Sequence, residues 1–498
     1  MCWYKKLELS IETIKELNKG ENPNKGILID NQCRKLDQLL STLKEGIIET
    51  YTMMENVFEN SKDSEPDVYS QKYVKDEYQK EDSKQETLLK NHHQNNLDEL
   101  DRVSDQFDGM IRLTLPSKRQ SMRLKIFTIV KNFIGKDLTR FSLPICLNEP
   151  LSLLQRMSEM AKFIHLLDTA AAYQDPYLKL AYVVAYSWTA FAGTRKRLFK
   201  PFNPLLGETY ELVGSNFKIY GEQISHHPPI GVIVIETKNY KVRLNSNIKL
   251  AFWGKYAEFS PQSPVIVEMK NSEDVYEIWM PKSYVQNVII GKMYLDHWGT
   301  IKVNNRKTGL KCELEFQGHA GWFKPKEDKG AIKGSIYTSE SGYTTPRIQI
   351  QGNWNEELKI KDLNMDNPKY HCVWKADPEP ENWDDIYRFS IFSLQLNKLT
   401  PDIKSSLPPT DWRFRPDQRA LENGDYELAT SEKHRLEEKQ RNAKKVRNKA
   451  GKKYTPKYFK EVDVKHIESE QTYKDYMPIR DYWQDKASQA WPDFPDIY

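Results

Sequence analysis

The sequence predicts a mainly β protein of the α+β class, in which helices precede a large antiparallel sheet or barrel. Beyond Lys200, short β-branched and aromatic runs recur at a spacing of about ten residues, with Gly, Asn, Asp and Pro between them. Examples of these runs are residues 217–220, 231–236, 265–269, 284–291 and 347–351. We expect the sheet to end near Trp374.

Residues 151–198 predict two or three helices ahead of the sheet. Helical spacing is kept by Leu151, Leu154, Met157, Ala161, Ile164 and Leu167. Residues 177–188 are apolar on nearly every side, which indicates a buried helix.

The first 115 residues or so are rich in Lys, Glu, Asp, Asn and Gln, and predict a polar, partly disordered extension. One amphipathic stripe runs through Leu36, Leu40, Leu43, Ile47, Tyr51, Met54 and Phe58. A weaker stripe contains Leu97, Leu100, Val103, Phe107 and Met110. An intramolecular hairpin and a coiled-coil homodimer both fit these stripes.

A compact helix is predicted between residues 122 and 134. One of its faces carries Met122, Ile126, Ile129, Val130, Phe133 and Ile134. Such a face suits either an ordinary helix packed on the domain or a mobile lid that touches lipid.

Composition narrows the class of protein. The 498 residues carry Lys+Arg 74 against Asp+Glu 70, and a net charge of +4 is too small to indicate nucleic acid. The five cysteines are scattered without a CxxC pair, as in a reducing cytosol. The start has no apolar signal region, and the most apolar stretch, near residues 180–192, is too short to span a bilayer. We therefore expect a cytoplasmic protein that meets membranes only peripherally.

The octet EQISHHPP, residues 222–229, is the most informative segment. Proline restricts the residue before it, so His227 is predicted to be extended. Neighbouring side chains of an extended segment point to opposite sides, so His226 and His227 are expected to bracket a ligand. They would not easily chelate one metal ion, and we expect no metal site and no cofactor.

Two further segments carry candidate binding residues. In KPFNPLLGETYEL, residues 200–212, Lys200 and Asn203 supply a cation and an amide in an irregular loop. Lys433, Glu437 and Arg441 are four residues apart and share one face of a predicted helix. By themselves, the first segment suits a strand-entry loop and the second a solvated salt-bridge ladder.

Together these segments resemble the oxysterol-binding protein family of lipid-transfer proteins, with Ile224 in place of the more usual valine. The resemblance covers about residues 134–498. LNEPLSLLQRMSE, residues 147–159, and the closing WPDFPDIY are similar to the sterol-binding branch.

The resemblance implies an incomplete antiparallel β-barrel around an apolar lipid tunnel, with an N-terminal lid, a helical layer and a helical C-terminal subdomain. The lipid-binding domain would span 116–498, with the lid at about 118–140, the barrel at about 200–375 and the helical part at about 408–498.

It also implies binding and exchange of a sterol and phosphatidylinositol 4-phosphate between membranes. The headgroup would be held by Lys200, Asn203, His226, His227, Lys433, Glu437 and Arg441. Phosphates need charge-assisted donors, and Glu437 suits the sugar hydroxyls as an acceptor. Peripheral contact with anionic membranes is expected through the basic run that follows Arg441.

Other functions remain open at this point. The sequence has no nucleophile elbow, HExxH, Cys/His metal spacing or Walker loop, so we expect no enzyme. A lipid-gated sensor or scaffold fits the same motifs, and phosphatidylserine could replace the sterol.

Overall fold

The computed structural model describes residues 99–120, 144–253, 255–288, 293–316, 330–338, 346–467 and 470–498. The stripe from Leu36 to Phe58 and the expected lid residues, from Met122 to Ile134, lie outside the described residues. None of the helices described is long and apolar enough to cross a membrane.

Strands dominate the part of the chain that the structure describes. They are β1 Asn148–Ser152, β2 Lys200–Phe202, β3 Thr209–Val213, β4 Lys218–His226, β5 Pro229–Glu236, β6 Tyr240–Asn245, β7 Ile248–Phe252, β8 Tyr256–Pro261, β9 Val265–Met269, β10 Val275–Trp279, β11 Lys282–Gln286, β12 Tyr294–Asn305, β13 Lys311–Phe316, β14 Ala331–Tyr337, β15 Ile348–Asn353, β16 Glu357–Asp362, β17 His371–Lys375, β18 Phe459–Lys465 and β19 Thr472–Pro478. Besides a helix at residues 99–106, the α-helices described are α1 Leu153–Ser158, α2 His165–Ala172, α3 Pro176–Ala192, α4 Ile391–Gln395, α5 Pro401–Ser406, α6 Pro416–Glu422, α7 Tyr426–Lys449 and α8 Tyr482–Ser488. Short 3₁₀ helices lie at Ile145–Leu147, Glu159–Phe163, Trp383–Ile386 and Trp412–Phe414.

One antiparallel sheet of 15 strands forms the body of the protein, in the order β17-β16-β15-β14-β13-β12-β10-β9-β6-β5-β4-β3. Off this path, β11 joins β12 to β8, and β8 pairs with β7. Because β17 and β3 stand at the two ends of the order, the described strands form an incomplete barrel. This confirms the mainly β fold and the end of the sheet near Trp374.

The strands show the alternation expected of a sheet with one solvated face. In β13, Cys312, Leu314 and Phe316 are buried while Glu313 and Glu315 are exposed. The buried face packs against helices, chiefly α3. Asp175 caps α3 by accepting from the backbone N–H groups of Tyr177 and Leu178, and Pro176 begins it.

The β5 strand is buried on both faces. Ile233 and Ile235 face the main core, whereas Ile230, Val232 and Val234 belong to a second apolar cluster. Aromatic residues of the C-terminal region complete that cluster: Tyr458, Phe459, Tyr476 and Tyr482. The β4–β5 hairpin, which carries the EQISHHPP octet, is therefore held from both sides.

The C-terminal part contains the expected helices together with an unexpected hairpin, and the N-terminal boundary differs from the expected one. The part after Pro408 is not wholly helical, because β18 and β19 form an antiparallel hairpin whose aromatic residues cover β5. The boundary near residue 115 is too late, because a helix at residues 99–106 buries Val103 at 0% exposure in the main core. The apolar stripe of this helix is too weak to show whether the helix belongs to the folded domain or to the N-terminal extension.

The first predicted helical run also begins differently. Residues 148–152 form β1, which pairs in parallel with β2 and so places Asn148 beside Lys200. Helix α1 then starts with a capping box in which Ser152 and Gln155 satisfy each other's backbone N–H groups.

Candidate anion-binding site

A cavity of about 1270 Å³ lies where β2, the β4–β5 turn, β7 and helix α7 meet. Its lining includes every residue expected at the headgroup site: Lys200, Asn203, His226, His227, Lys433, Glu437 and Arg441. These residues come from three separate segments of the chain. The structure thus brings them to one cavity.

The two histidines lie side by side. His226 pairs across the hairpin with Pro229, and His227 and Pro228 form the turn between β4 and β5. The ring centroids are 4.3 Å apart. The expectation that the rings point to opposite sides was wrong, because His227 lies in a tight turn and the alternation of an extended strand stops there.

Gln440 connects the helix to the octet. Its side-chain oxygen accepts a hydrogen bond from the backbone N–H of Leu206 at 2.9 Å, and its amide nitrogen lies 3.1 Å from His226 Nε2. An amide nitrogen can only donate, so His226 Nε2 accepts and the ring proton sits on Nδ1. Nδ1 is buried without a hydrogen-bond partner among the described residues.

Lys200 and Asn203 form a pair at the floor of the strand-entry loop. The Lys200 ammonium donates to Asn203 Oδ1 at 3.0 Å. The loop is fixed from behind by Arg415, which donates to the Asn203 carbonyl at 3.0 Å and is itself only 2% exposed. Asp417 and Glu208 accept from the Arg415 guanidinium, so its charge is largely satisfied within the protein.

The residues expected on one face of α7 do line the cavity, but they are not one continuous ladder. Lys433 donates to Glu437 Oε1 at 2.9 Å, whereas Arg441 forms an ion pair with Glu438. Arg441 keeps about half of its side chain exposed, at 52%. It can therefore reorient toward an anion at small cost, because exposed ion pairs contribute little.

The cavity is strongly cationic. Among the described residues, its lining contains ten cations and a single carboxylate, that of Glu437. The cations are Lys200, Lys249, Arg415, Lys433, Arg441, Lys444, Lys445, Arg447, Lys452 and Lys453. Such a set suits a ligand with several negative charges.

Desolvation perturbs two of the site's titratable groups. It lowers the pKa of His226 to about 4, with His227 and Lys444 adding repulsion. His226 is therefore a neutral donor at pH 7. Desolvation, followed by the charge of Lys433, lowers the pKa of Lys200 to about 8. The Lys200 side chain is exposed, so we attribute the desolvation that lowers its pKa to the protein surface surrounding the cavity.

Glu222, the first residue of the octet, has a structural role that sequence reasoning missed. Its buried carboxylate accepts from the backbone N–H groups of Lys457 and Tyr458, both at 2.9 Å, and from the Tyr454 hydroxyl at 2.8 Å. Burial raises the pKa of Glu222. Gln440 was missed as well, although it lies seven residues after Lys433 and three after Glu437, which puts it on their helical face.

A second, smaller cavity of about 260 Å³ has a mixed lining. It includes apolar residues such as Met157, Met160 and Met280, and charged residues such as Arg197 and Asp377. No group of three or more metal-ligating side chains occurs in the part of the chain that the structure describes.

Comparisons with known proteins identify the family of this chain. The oxysterol-binding protein family model matches residues 125–487. The chain is 33% identical over 412 residues to oxysterol-binding protein homolog 1 of Saccharomyces cerevisiae, covering 76% of this chain and 33% of that protein. It is 35% identical over 343 residues to human oxysterol-binding protein-related protein 6, covering 68% and 36%. The chain thus spans about a third of the length of these relatives.

Two solved structures share the fold. The Osh1 ORD domain in complex with cholesterol superposes with a TM-score of 0.70 at 29% identity, covering 82% of this chain and 99% of that one. The Osh3 ORD in complex with PI(4)P, from Saccharomyces cerevisiae, gives 0.67 at 27% identity, covering 78% and 99%.

An incomplete β-barrel with a cationic cavity beside it defines a lipid-binding domain. The chain belongs to the oxysterol-binding protein family, whose members bind and transfer lipids and are not enzymes.

Proposed function

We propose that this protein binds phosphatidylinositol 4-phosphate and a sterol in alternation and exchanges them between membranes. The observation that carries the proposal is the convergence of the β2 loop, the β4–β5 turn and helix α7 on one cationic cavity. Relatives of the same fold were solved with cholesterol and with PI(4)P, which supports two lipids of these classes.

In this proposal the phosphate lies between Lys200, Lys433 and Arg441. The His226 Nδ1–H, which has no partner among the described residues, supplies a neutral donor, and His227 lies beside it. Glu437 accepts from inositol hydroxyls. Hydrogen bonds to a charged group contribute roughly 1.5–3 kcal/mol each, so a few such contacts provide selectivity for the headgroup.

The apolar part of either lipid would lie on the inner face of the sheet. Burial of apolar surface stabilises the bound lipid by roughly 25 cal/mol per Å². A bound lipid would then leave only at a membrane, where its apolar surface is buried again. We place the protein in the cytoplasm, in peripheral contact with anionic membranes.

The test is lipid extraction from liposomes by a variant with His226→Ala and His227→Ala. We expect at least a hundredfold loss of affinity for phosphatidylinositol 4-phosphate and little change for sterol, because two contacts to a charged phosphate are removed. A matched control is His371→Ala with His434→Ala, since both residues are exposed and outside the cavity. Equal loss of both lipids in the folded double variant, or loss in the control as well, would contradict the assignment.

A further inference from the structure

The β7–β8 hairpin borders the cavity and ends in an exposed tryptophan. Ile248, Lys249 and Leu250 of β7 line the cavity. Trp253 follows at the tip and is 61% exposed, and Ile248 is 38% exposed. At about 3.3 Å per residue, the tip reaches roughly 10 Å beyond Leu250.

Contacts within the hairpin hold Trp253 in place. The Trp253 N–H donates to the Tyr256 carbonyl at 2.9 Å, and the Trp253 and Tyr256 rings lie 6.5 Å apart. The indole also interacts with Glu258, which contributes to the lowered pKa of that carboxyl after the larger effect of Lys282. The ring is thus held at the tip with most of its surface outside the protein.

The chemistry of the tip fits one type of partner. Lys249 and Lys255 are exposed on the two sides of the tip, and a tryptophan flanked by lysines suits the interface of an anionic bilayer. The basic end of α7, with Lys444 and Arg447, lines the same cavity. A lipid can enter the cavity only where the cavity meets a membrane, so the hairpin stands at the place of contact.

We propose that the tip of the β7–β8 hairpin, led by Trp253, inserts into the interfacial layer of the bilayer with which the cavity exchanges lipid. This inference rests on the proposed lipid-exchange function. It adds an apolar anchor to the electrostatic attraction expected from the basic residues.

The test compares Trp253→Ala with Met365→Ala in vesicle co-sedimentation. Met365 is also 61% exposed, but it lies after β16 and does not line the cavity. Vesicles of phosphatidylcholine alone and vesicles with added phosphatidylserine separate apolar insertion from charge. Burying roughly 60–90 Å² of the ring at about 25 cal/mol per Å² corresponds to about ten- to fiftyfold in affinity.

We expect Trp253→Ala to weaken binding to both vesicle types by that factor at low and at high salt. Trp253→Phe should retain most of the binding, and Met365→Ala should bind like the wild type. Equal binding by the two alanine variants would overturn the proposal, as would a defect seen only on anionic vesicles and lost at high salt.

Binding of a short-chain, soluble phosphatidylinositol 4-phosphate should be unchanged in Trp253→Ala. If the wild type does not bind this soluble lipid, the proposed lipid-exchange function is wrong. The vesicle result then still shows whether Trp253 inserts into the bilayer.

Discussion

The lowered pKa of Lys200 makes headgroup affinity depend on pH in the alkaline range. In the free protein this pKa is about 8, because of desolvation and the neighbouring Lys433. A bound phosphate favours the ammonium form, so the pKa of Lys200 is higher in the complex. Affinity is therefore full only well below pH 8 and falls as the pH rises through 8, because the deprotonated lysine must then take up a proton when the phosphate binds.

The dependence of headgroup affinity on pH has a physical limit. One titrating group changes affinity by at most tenfold per pH unit, which is about 1.4 kcal/mol. The headgroup phosphate, with a second pKa near 6, stays a dianion throughout. His226 stays neutral, because its pKa is about 4. We expect a loss of about fivefold between pH 8 and pH 9 from Lys200, which approaches tenfold per pH unit only well above its pKa.

One other nearby group titrates in this window. Desolvation raises the pKa of Glu208 to about 8, against the opposing charge of Arg415. Its ionisation would also weaken anion binding. The Glu208→Gln variant removes this contribution, whereas Lys200→Arg keeps a cation that does not titrate below pH 12 or so.

The assay is calorimetric titration with a short-chain, soluble phosphatidylinositol 4-phosphate from pH 7 to pH 9.5. Lys200→Arg should bind with nearly constant affinity over this range, and Glu208→Gln should keep the decline due to Lys200. A flat wild-type profile, or a Lys200→Arg profile as steep as the wild type, would refute the reasoning.

Three further predictions concern other parts of the molecule. Gln440→Ala removes the link between α7 and the octet, so affinity for the soluble headgroup lipid should fall about tenfold while sterol binding is kept. Deletion of residues 1–90 should leave the melting temperature unchanged. Deletion of residues 1–110 removes the buried Val103, so the free energy of unfolding measured by chemical denaturation should fall by about 2–5 kcal/mol. Charge reversal of the basic run should slow transfer from anionic liposomes, with a defect that shrinks at high salt, and an unchanged rate would make the run ordinary solvated surface. The reversed residues are Lys444, Lys445, Arg447 and Lys449.

The fold class could be predicted because it depends on local patterns, whereas the candidate site residues came from the resemblance of three short segments to the family. The strand-like runs after Lys200 predict a sheet, whether or not that sheet closes into a barrel. Residues with helical spacing, such as Lys433 and Glu437, share a face in any helix. Pairing is different, because a side chain such as Arg441 has a carboxylate both three and four residues away on its helix. Thus Arg441 forms an ion pair with Glu438, three residues away, and the histidine rings meet because a turn begins one residue earlier than the strand pattern indicates.

Protonation could not be predicted either. An ordinary histidine has a pKa near 6.5 and keeps a cationic fraction at pH 7, whereas desolvation, with repulsion from His227 and Lys444, removes that fraction from His226. The N-terminal boundary failed for a related reason. The stripe through Val103 is short and interrupted, and its burial depends on the main core, which local periodicity does not reveal.

The C-terminal segment shows how distant residues position the cavity. Lys439 of α7 donates to Asp496 at 2.7 Å and also contacts the backbone oxygen of Tyr498. The Tyr498 hydroxyl donates to the Thr410 carbonyl, which also accepts from the backbone of β3. Gly207 has a φ of +88° and lies so close to Pro495 that an added Cβ would approach it to 2.9 Å. The segment therefore ties α7 to the strand-entry loop, and the spacing between Gln440 and the octet depends on residues that never line the cavity.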